Sequence, residues 1–169
     1  MINIVLHEPE IPYNTGNIGR TCELTGARLH LIRPFGFILN DKMIRRAGMD
    51  YWERVDVVEH DSTEDFYRYF EEQRSLAESA AGERDGRLPR IFYATTKAAH
   101  RHTDVTYHDG DYIMFGKESA GIPEEILFKH PDDCIRIPMR DEGRSLNLSN
   151  SAAITLYEAL RQIDYPELR

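Results

Sequence analysis

Arg144-Ser145-Leu146-Asn147-Leu148-Ser149-Asn150 sets a dense polar run directly in front of a helical hydrophobic pattern. Ser145, Asn147, Ser149 and Asn150 carry side chains that compete with the backbone for hydrogen bonds, so they favour caps and loops over helix interiors. One cap needs only one of them. Downstream, Ala153, Leu156, Leu160 and Ile163 recur with the spacing of a helix burying one face, which predicts a helix from near Ser149 or Asn150. Upstream, Cys134-Ile135-Arg136-Ile137-Pro138-Met139 predicts a short strand ended by proline. Strand, polar loop, helix fits a ligand-binding loop or a generously polar capped connection, and other segments have to decide between them.

The same order recurs along the chain. Ile2 to Leu6 predicts a strand, and the prolines of His7-Glu8-Pro9-Glu10-Ile11-Pro12-Tyr13-Asn14 predict a loop after it. A helix is expected from Thr15 or Asn17 to about Thr25, stopped by Gly26. Leu29 to Ile32 reads as a strand, Lys42 to Ala47 as a short helix and Val55 to Val58 as a third strand. Ser62-Thr63-Glu64-Asp65 opens a helix with acids in its first turn, extending past Ser75 before an exposed, mobile loop toward Gly86. Ile91 to Ala94, Tyr112 to Phe115 and Ile135 to Ile137 complete six expected strands. Such alternation predicts an α/β fold. The expectation is a single domain over residues 1–169, with a mostly parallel sheet, helices on both faces and ligands beyond the carboxyl ends of the strands.

Twenty-one Lys and Arg against 29 Asp and Glu leave a formal charge of −8 over 169 residues, which weighs against a protein that coats nucleic acid through bulk charge. Local recognition stays open, with basic clusters at Arg45-Arg46 and His100-Arg101-His102. Cys22 and Cys134 form no CxxC pattern, so neither a disulfide framework nor a zinc site is expected, and Cys22 reads as a small apolar packing residue. No apolar run approaches the roughly 20 residues that span a bilayer, and no basic-then-apolar leader opens the chain. A soluble cytoplasmic protein without membrane attachment is expected. His100 and His102 form an HxH without further spaced ligands and read as solvated, so no metal is expected.

Two further stretches carry chemistry. In Asn14-Thr15-Gly16-Asn17-Ile18-Gly19-Arg20 the glycines are expected to let backbone approach a phosphate or ribose, with Arg20 a turn beyond Gly16 to bond a phosphate or polarise a hydroxyl. The alternative is a capped helix with a surface arginine. The spacing matches neither the Rossmann nor the Walker pattern. In Phe115-Gly116-Lys117-Glu118-Ser119-Ala120-Gly121-Ile122-Pro123, Gly116 is expected to clear space for a ligand at a strand end, Gly121 to turn the loop and Pro123 to begin a helix. Glu118 reads as a cap in preference to a ligand contact.

Taken together, NxGNIxR at Asn14–Arg20, FGxExxG at Phe115–Gly121 and IPM…RSLNLSN at Ile137–Asn150 resemble, in order and over nearly the whole chain, the SPOUT class of S-adenosylmethionine-dependent RNA methyltransferases. Within that class the opening IVLHEPEIPYNTGNIGRTCELTGARLHLIRPFGF, followed by DYW, is similar to the tRNA (cytidine/uridine) 2′-O-methyltransferases. The resemblance implies a C-terminal trefoil knot, which chain-threading rules alone do not predict. It implies S-adenosylmethionine held largely by main chain at Ala94, Gly116, Ile137, Ser145 and Leu146, and methyl transfer to the 2′-hydroxyl of the wobble nucleotide in a tRNA anticodon stem-loop. It also implies a homodimer, and without a separate RNA-binding extension two copies are expected to share one substrate surface through the first and last helices, with the stripe Ala153, Leu156, Leu160 and Ile163 supplying the apolar face. The segment Ser75 to Arg90 is longer than compact members lead one to expect.

A 2′-hydroxyl attacks poorly while protonated, so the reaction needs a proton acceptor or a positive field beside it. Arg20 is the first catalytic candidate, as a cation that stabilises developing alkoxide or holds the adjoining phosphate. Asn147 and Tyr157 are secondary candidates, and Tyr157 fits packing between subunits equally well. Two rivals remain: a non-catalytic RNA-binding module on the same fold, and a metabolic nucleotide-binding α/β enzyme.

Overall fold

Residues 1–38, 51–80, 87–140 and 144–169 are described by the computed structural model, and within them seven strands join in one sheet whose neighbours all run parallel. The strands β1 (Asn3–His7), β2 (Arg28–Ile32), β3 (Val57–His60), β4 (Ile91–Ala94), β5 (His100–Arg101), β6 (Tyr112–Phe115) and β7 (Cys134–Arg136) stand in the order β3-β2-β1-β6-β4-β7-β5. Helices α1 (Pro12–Thr25), α2 (Thr63–Ala80), α3 (Glu124–Leu127) and α4 (Leu148–Gln162) connect and cover them.

Parallel strands buried on both faces need near-continuous apolar runs, and the central strands β1, β2, β4 and β6 supply them over most of their length. Ile4, Leu6, Leu29, Leu31, Ile113, Phe115 and Ile135 face Ile18 and Cys22 of α1 and Leu156 and Leu160 of α4. The alternate residues, including Val5, Ile32, Tyr93 and Met114, face Phe66 and Phe70 of α2. Cys22 is fully buried in the first layer, which pushes its thiol up to about 12 and leaves it a packing group. No helix among the described residues is long and apolar enough to cross a membrane.

Several expectations change. Helix α1 begins at Pro12, where a missing N–H costs nothing, so the proline read as a loop marker is a helix start. Strand β3 sits two residues later than Val55–Val58 because Trp52–Arg54 forms a one-turn 3-10 helix just before it. The additional strand β5 has only two residues, too few for any periodicity. The expected helix Lys42–Ala47 and the Arg45-Arg46 cluster lie outside the described residues.

Between the sheet and α2 lies a buried polar cluster: His30 Nδ1 is 3.0 Å from His60 Nε2, and His30 Nε2 is 3.3 Å from Asn3 Oδ1. Burial, then the neighbouring His60 and Arg28, bring His30 down to about 3, and burial lowers His60 and His7 as well. These imidazoles stay neutral in the fold while the unfolded chain takes up protons near the ordinary value of 6.5. Stability is therefore full above pH 6.5 and falls on acidification, for His30 down to about pH 3 by about 1.4 kcal/mol per pH unit, with His60 and His7 acting in the same direction. Urea denaturation at pH 7 and pH 5 is expected to show this loss, and His30→Asn to flatten the profile. Parallel profiles for the two proteins would exclude the cluster as its source.

Candidate active site

Because every strand runs the same way, the carboxyl ends of β1, β4, β6 and β7 open on one edge, and the loops that follow them line a single cleft of about 1050 Å³. That is the upper end of ordinary ligand pockets, about 300–1,000 Å³. Ala94, Gly116, Ile137, Ser145 and Leu146, the five residues expected to hold a cofactor, all line it. Thr95 and Thr155, which carry no sequence signal, line it too.

The three motifs are tied to each other by hydrogen bonds. Helix α1 has no cap of its own at Ile11, and Glu118 supplies one from the distant loop, accepting the backbone N–H groups of Glu10 (2.9 Å) and Ile11 (3.3 Å). A carboxylate there also suits the positive end of the helix. Glu118 accepts from Asn14 Nδ2 at 2.9 Å, and Asn14 Oδ1 in turn accepts from Asn147 Nδ2 at 3.0 Å. Asn147 is the N-cap of α4, its Oδ1 accepting from Ser149 N at 2.9 Å. The two loops are latched reciprocally: Glu10 accepts from the backbone and hydroxyl of Ser119 (2.8 and 2.9 Å), which hold its carboxyl below the usual range, and Lys117 pairs with Glu8 at 2.9 Å. Glu118 is thus a cap, as expected, but for a helix that precedes it by more than a hundred residues. Glu118→Gln replaces one acceptor oxygen with a donor facing donors. A loss of about 1–3 kcal/mol in urea denaturation is expected, with weaker ligand binding in the cleft; unchanged stability would show the chain of contacts to be slack.

Gly16 and Gly19 form no phosphate cradle. Both lie inside α1, where a Cβ on Gly19 would come within 2.6 Å of the Trp52 ring and the Gly16 carbonyl accepts from the Tyr51 hydroxyl at 2.8 Å. Gly116 differs from expectation too: a Cβ there would meet Gly121 C at 1.9 Å, so the loop's own closure, ahead of ligand clearance, demands glycine. Arg20 is exposed on α1 outside the lining set, its guanidinium 5.4 Å from the Tyr51 ring centroid. Asn147 lines the cleft, while Tyr157 is 48% exposed on α4 and does not. His102, read as solvated, lines the cleft with a buried Nδ1 that has no partner. Among the described residues no group of three His, Cys, Asp or Glu is gathered to hold a metal ion.

The loops so joined follow the pattern of a known family, the SpoU rRNA Methylase family, whose profile matches residues 1–157. The chain belongs to this family. Its SpoU relatives include the tRNA (cytidine(34)-2'-O)-methyltransferase of Escherichia coli K12, 49% identical over 167 residues that cover 98% of this chain and 96% of the relative. A solved structure concerned with 2-OH methylation of C/U34 on tRNA is 38% identical, with a TM-score of 0.81 and 97% of each chain covered. The SpoU methyltransferase AviRb of Streptomyces viridochromogenes, solved in complex with AdoMet, shares the fold at 21% identity and a TM-score of 0.79, over 96% of this chain and 60% of AviRb.

Proposed function

We propose that this chain transfers a methyl group from S-adenosylmethionine to the 2′-hydroxyl of the wobble nucleotide, cytidine or uridine 34, in the anticodon stem-loop of tRNA, as a cytoplasmic homodimer. The observation that carries the reading is the convergence of three sequence-distant loops on one cleft, in a chain that matches a C34 methyltransferase over nearly its full length. When bound, S-adenosylmethionine supplies the methyl group as an activated sulfonium. Ala94, Gly116, Ile137, Ser145 and Leu146 would hold it, and the mix of apolar side chains and loop backbone lining the cleft suits a ligand with an adenine ring and a polar tail. The trefoil knot belongs to the same proposal, supported by Gly116–Pro123 and Arg144–Leu148 lining one cavity.

Arg20 takes the catalytic role on the RNA side, stabilising developing alkoxide or fixing the adjoining phosphate, because it stands outside the cleft in solvent. Asn147 is a positioning residue: capping α4 and bonding Asn14 use both ends of its amide. Tyr157 is assigned to the dimer face. The stripe Ala153, Leu156, Leu160, Ile163 is not that face, since Leu156 and Leu160 are buried against this chain's own sheet. What supports a dimer is the exposed set Tyr13 and Leu24 on α1 with Ile154 and Tyr157 on α4, two helices packed on each other.

Incubation with tritiated S-adenosylmethionine and bulk tRNA tests the reading. Label is expected in tRNA, at a wobble linkage that resists alkali because a methylated 2′-oxygen cannot attack its phosphate. Label on a base, or none in tRNA, would refute the reaction; an active monomer in light scattering would refute the dimer.

A further inference from the structure

We infer that Arg101 and Arg136 form an oxyanion subsite at the outer edge of the cleft, which takes a backbone phosphate of the RNA strand. The inference rests on the methyltransferase reading and adds to it where the polyanion lies.

Arg101 on β5 and Arg136 on β7 are direct register partners in a parallel pair. Partners in neighbouring strands stand about 4.8 Å apart with their side chains on one face of the sheet. Two guanidinium groups so placed repel each other unless an anion lies between them. The chain has acids to spare, and elsewhere it uses them: Arg28 is paired with Asp56, Arg90 with Asp133 and Arg161 with Glu158. Among the described residues no carboxylate pairs with Arg101 or Arg136, and Asp104, three residues past Arg101, is turned to the backbone N–H of Arg101 at 2.9 Å. Among the described residues Arg136 Nε and His102 Nδ1 are each buried without a hydrogen-bond partner, and both residues line the cleft. The backbone N–H of His102 donates to the Arg136 carbonyl at 2.8 Å, which fastens the end of β5 to β7.

An oxyanion in this cleft has two sources, an RNA phosphate or the carboxylate of the cofactor. The placement favours the phosphate. Arg136 lines the cleft, whereas Arg101 is exposed on the outermost strand and does not, so only a ligand that runs from the cleft over the rim meets both. The planar forks of two arginines also match the oxygens of a phosphodiester. In a chain of net charge −8, cations at one rim with no carboxylate partner among the described residues direct a polyanion to that rim.

The test compares wild type, Arg101→Ala and, as a control for charge alone, Arg68→Ala, whose guanidinium pairs with Asp65 on α2. Binding of tRNA is titrated from low to high salt, and S-adenosylmethionine binding is followed by calorimetry. Arg101→Ala is expected to weaken tRNA binding on the order of tenfold at low salt and to flatten the slope of log affinity against log salt by about 0.7–0.9, leaving cofactor affinity unchanged. Arg68→Ala is expected to change neither. If Arg101→Ala keeps the wild-type slope and affinity for tRNA, or loses cofactor affinity alone, the phosphate subsite is overturned while the enzyme reading stands. Wild type that neither binds nor methylates tRNA overturns both.

Discussion

Arg20→Ala is expected to slow methyl transfer to tRNA by about 10²–10⁴-fold while S-adenosylmethionine binds as tightly as before. Arg20 stands in solvent on α1, apart from every residue that lines the cleft, so its removal touches no cofactor contact. Its guanidinium lies 5.4 Å from the Tyr51 ring centroid, a contact that orients it without neutralising it. Arg20→Lys separates charge from shape: partial rescue means that a positive field suffices, and none means that the planar fork grips two oxygens. Single-turnover transfer with saturating cofactor, alongside calorimetry, reads both quantities. An Arg20→Ala enzyme of full activity would remove the residue from the chemistry.

A larger effect still is expected at Gly116, where even Ala adds a Cβ 1.9 Å from Gly121 C and 2.0 Å from Ile122 N. These are backbone atoms, so no side chain can swing aside. The turn closed by Gly121 N–H to the Lys117 carbonyl at 2.8 Å has to open, and with it the seat of Glu118. Gly116→Ala should lower stability by about 1–3 kcal/mol or more and abolish binding in the cleft, and Gly116→Val should do so to a greater degree. Urea denaturation and calorimetry are the measurements. Wild-type affinity in Gly116→Ala would mean that the loop closes in another way.

The three motifs around the cleft were legible because they announce themselves by excess, whereas Thr95, His102 and Thr155 were not. Polar side chains crowded before α4 exceed what one cap needs, glycine at the end of β6 marks a tightly closed loop, and the three motifs do meet. Reading failed where one residue type serves two physical roles. Pro12 breaks a helix in its interior and starts one at its first position, and local sequence favoured the first sense. Gly16 and Gly19 suit a ligand approach or a helix–aromatic contact equally, and their use was decided by Tyr51 and Trp52, more than thirty residues away. Leu156 and Leu160 announce an apolar face without saying what covers it; it is the sheet of the same chain. Strand β5 left no trace, since two residues cannot show a period.

Strand β1 lies between β2 and β6, and its partner on the second side, Tyr112–Phe115, is made more than a hundred residues later. At a synthesis rate of about 5–20 residues per second, the nascent chain carries Ile4, Val5 and Leu6 with one edge bare for on the order of 5–20 s. A hydrophobic edge of that kind templates pairing with other chains. The contacts that join Glu118 and Asn147 to Asn14 bear the same loop-closure cost, so the cleft is among the last parts of the molecule to form. Production of this protein is thus governed by how the first strand is sheltered on the ribosome while it waits for the sixth.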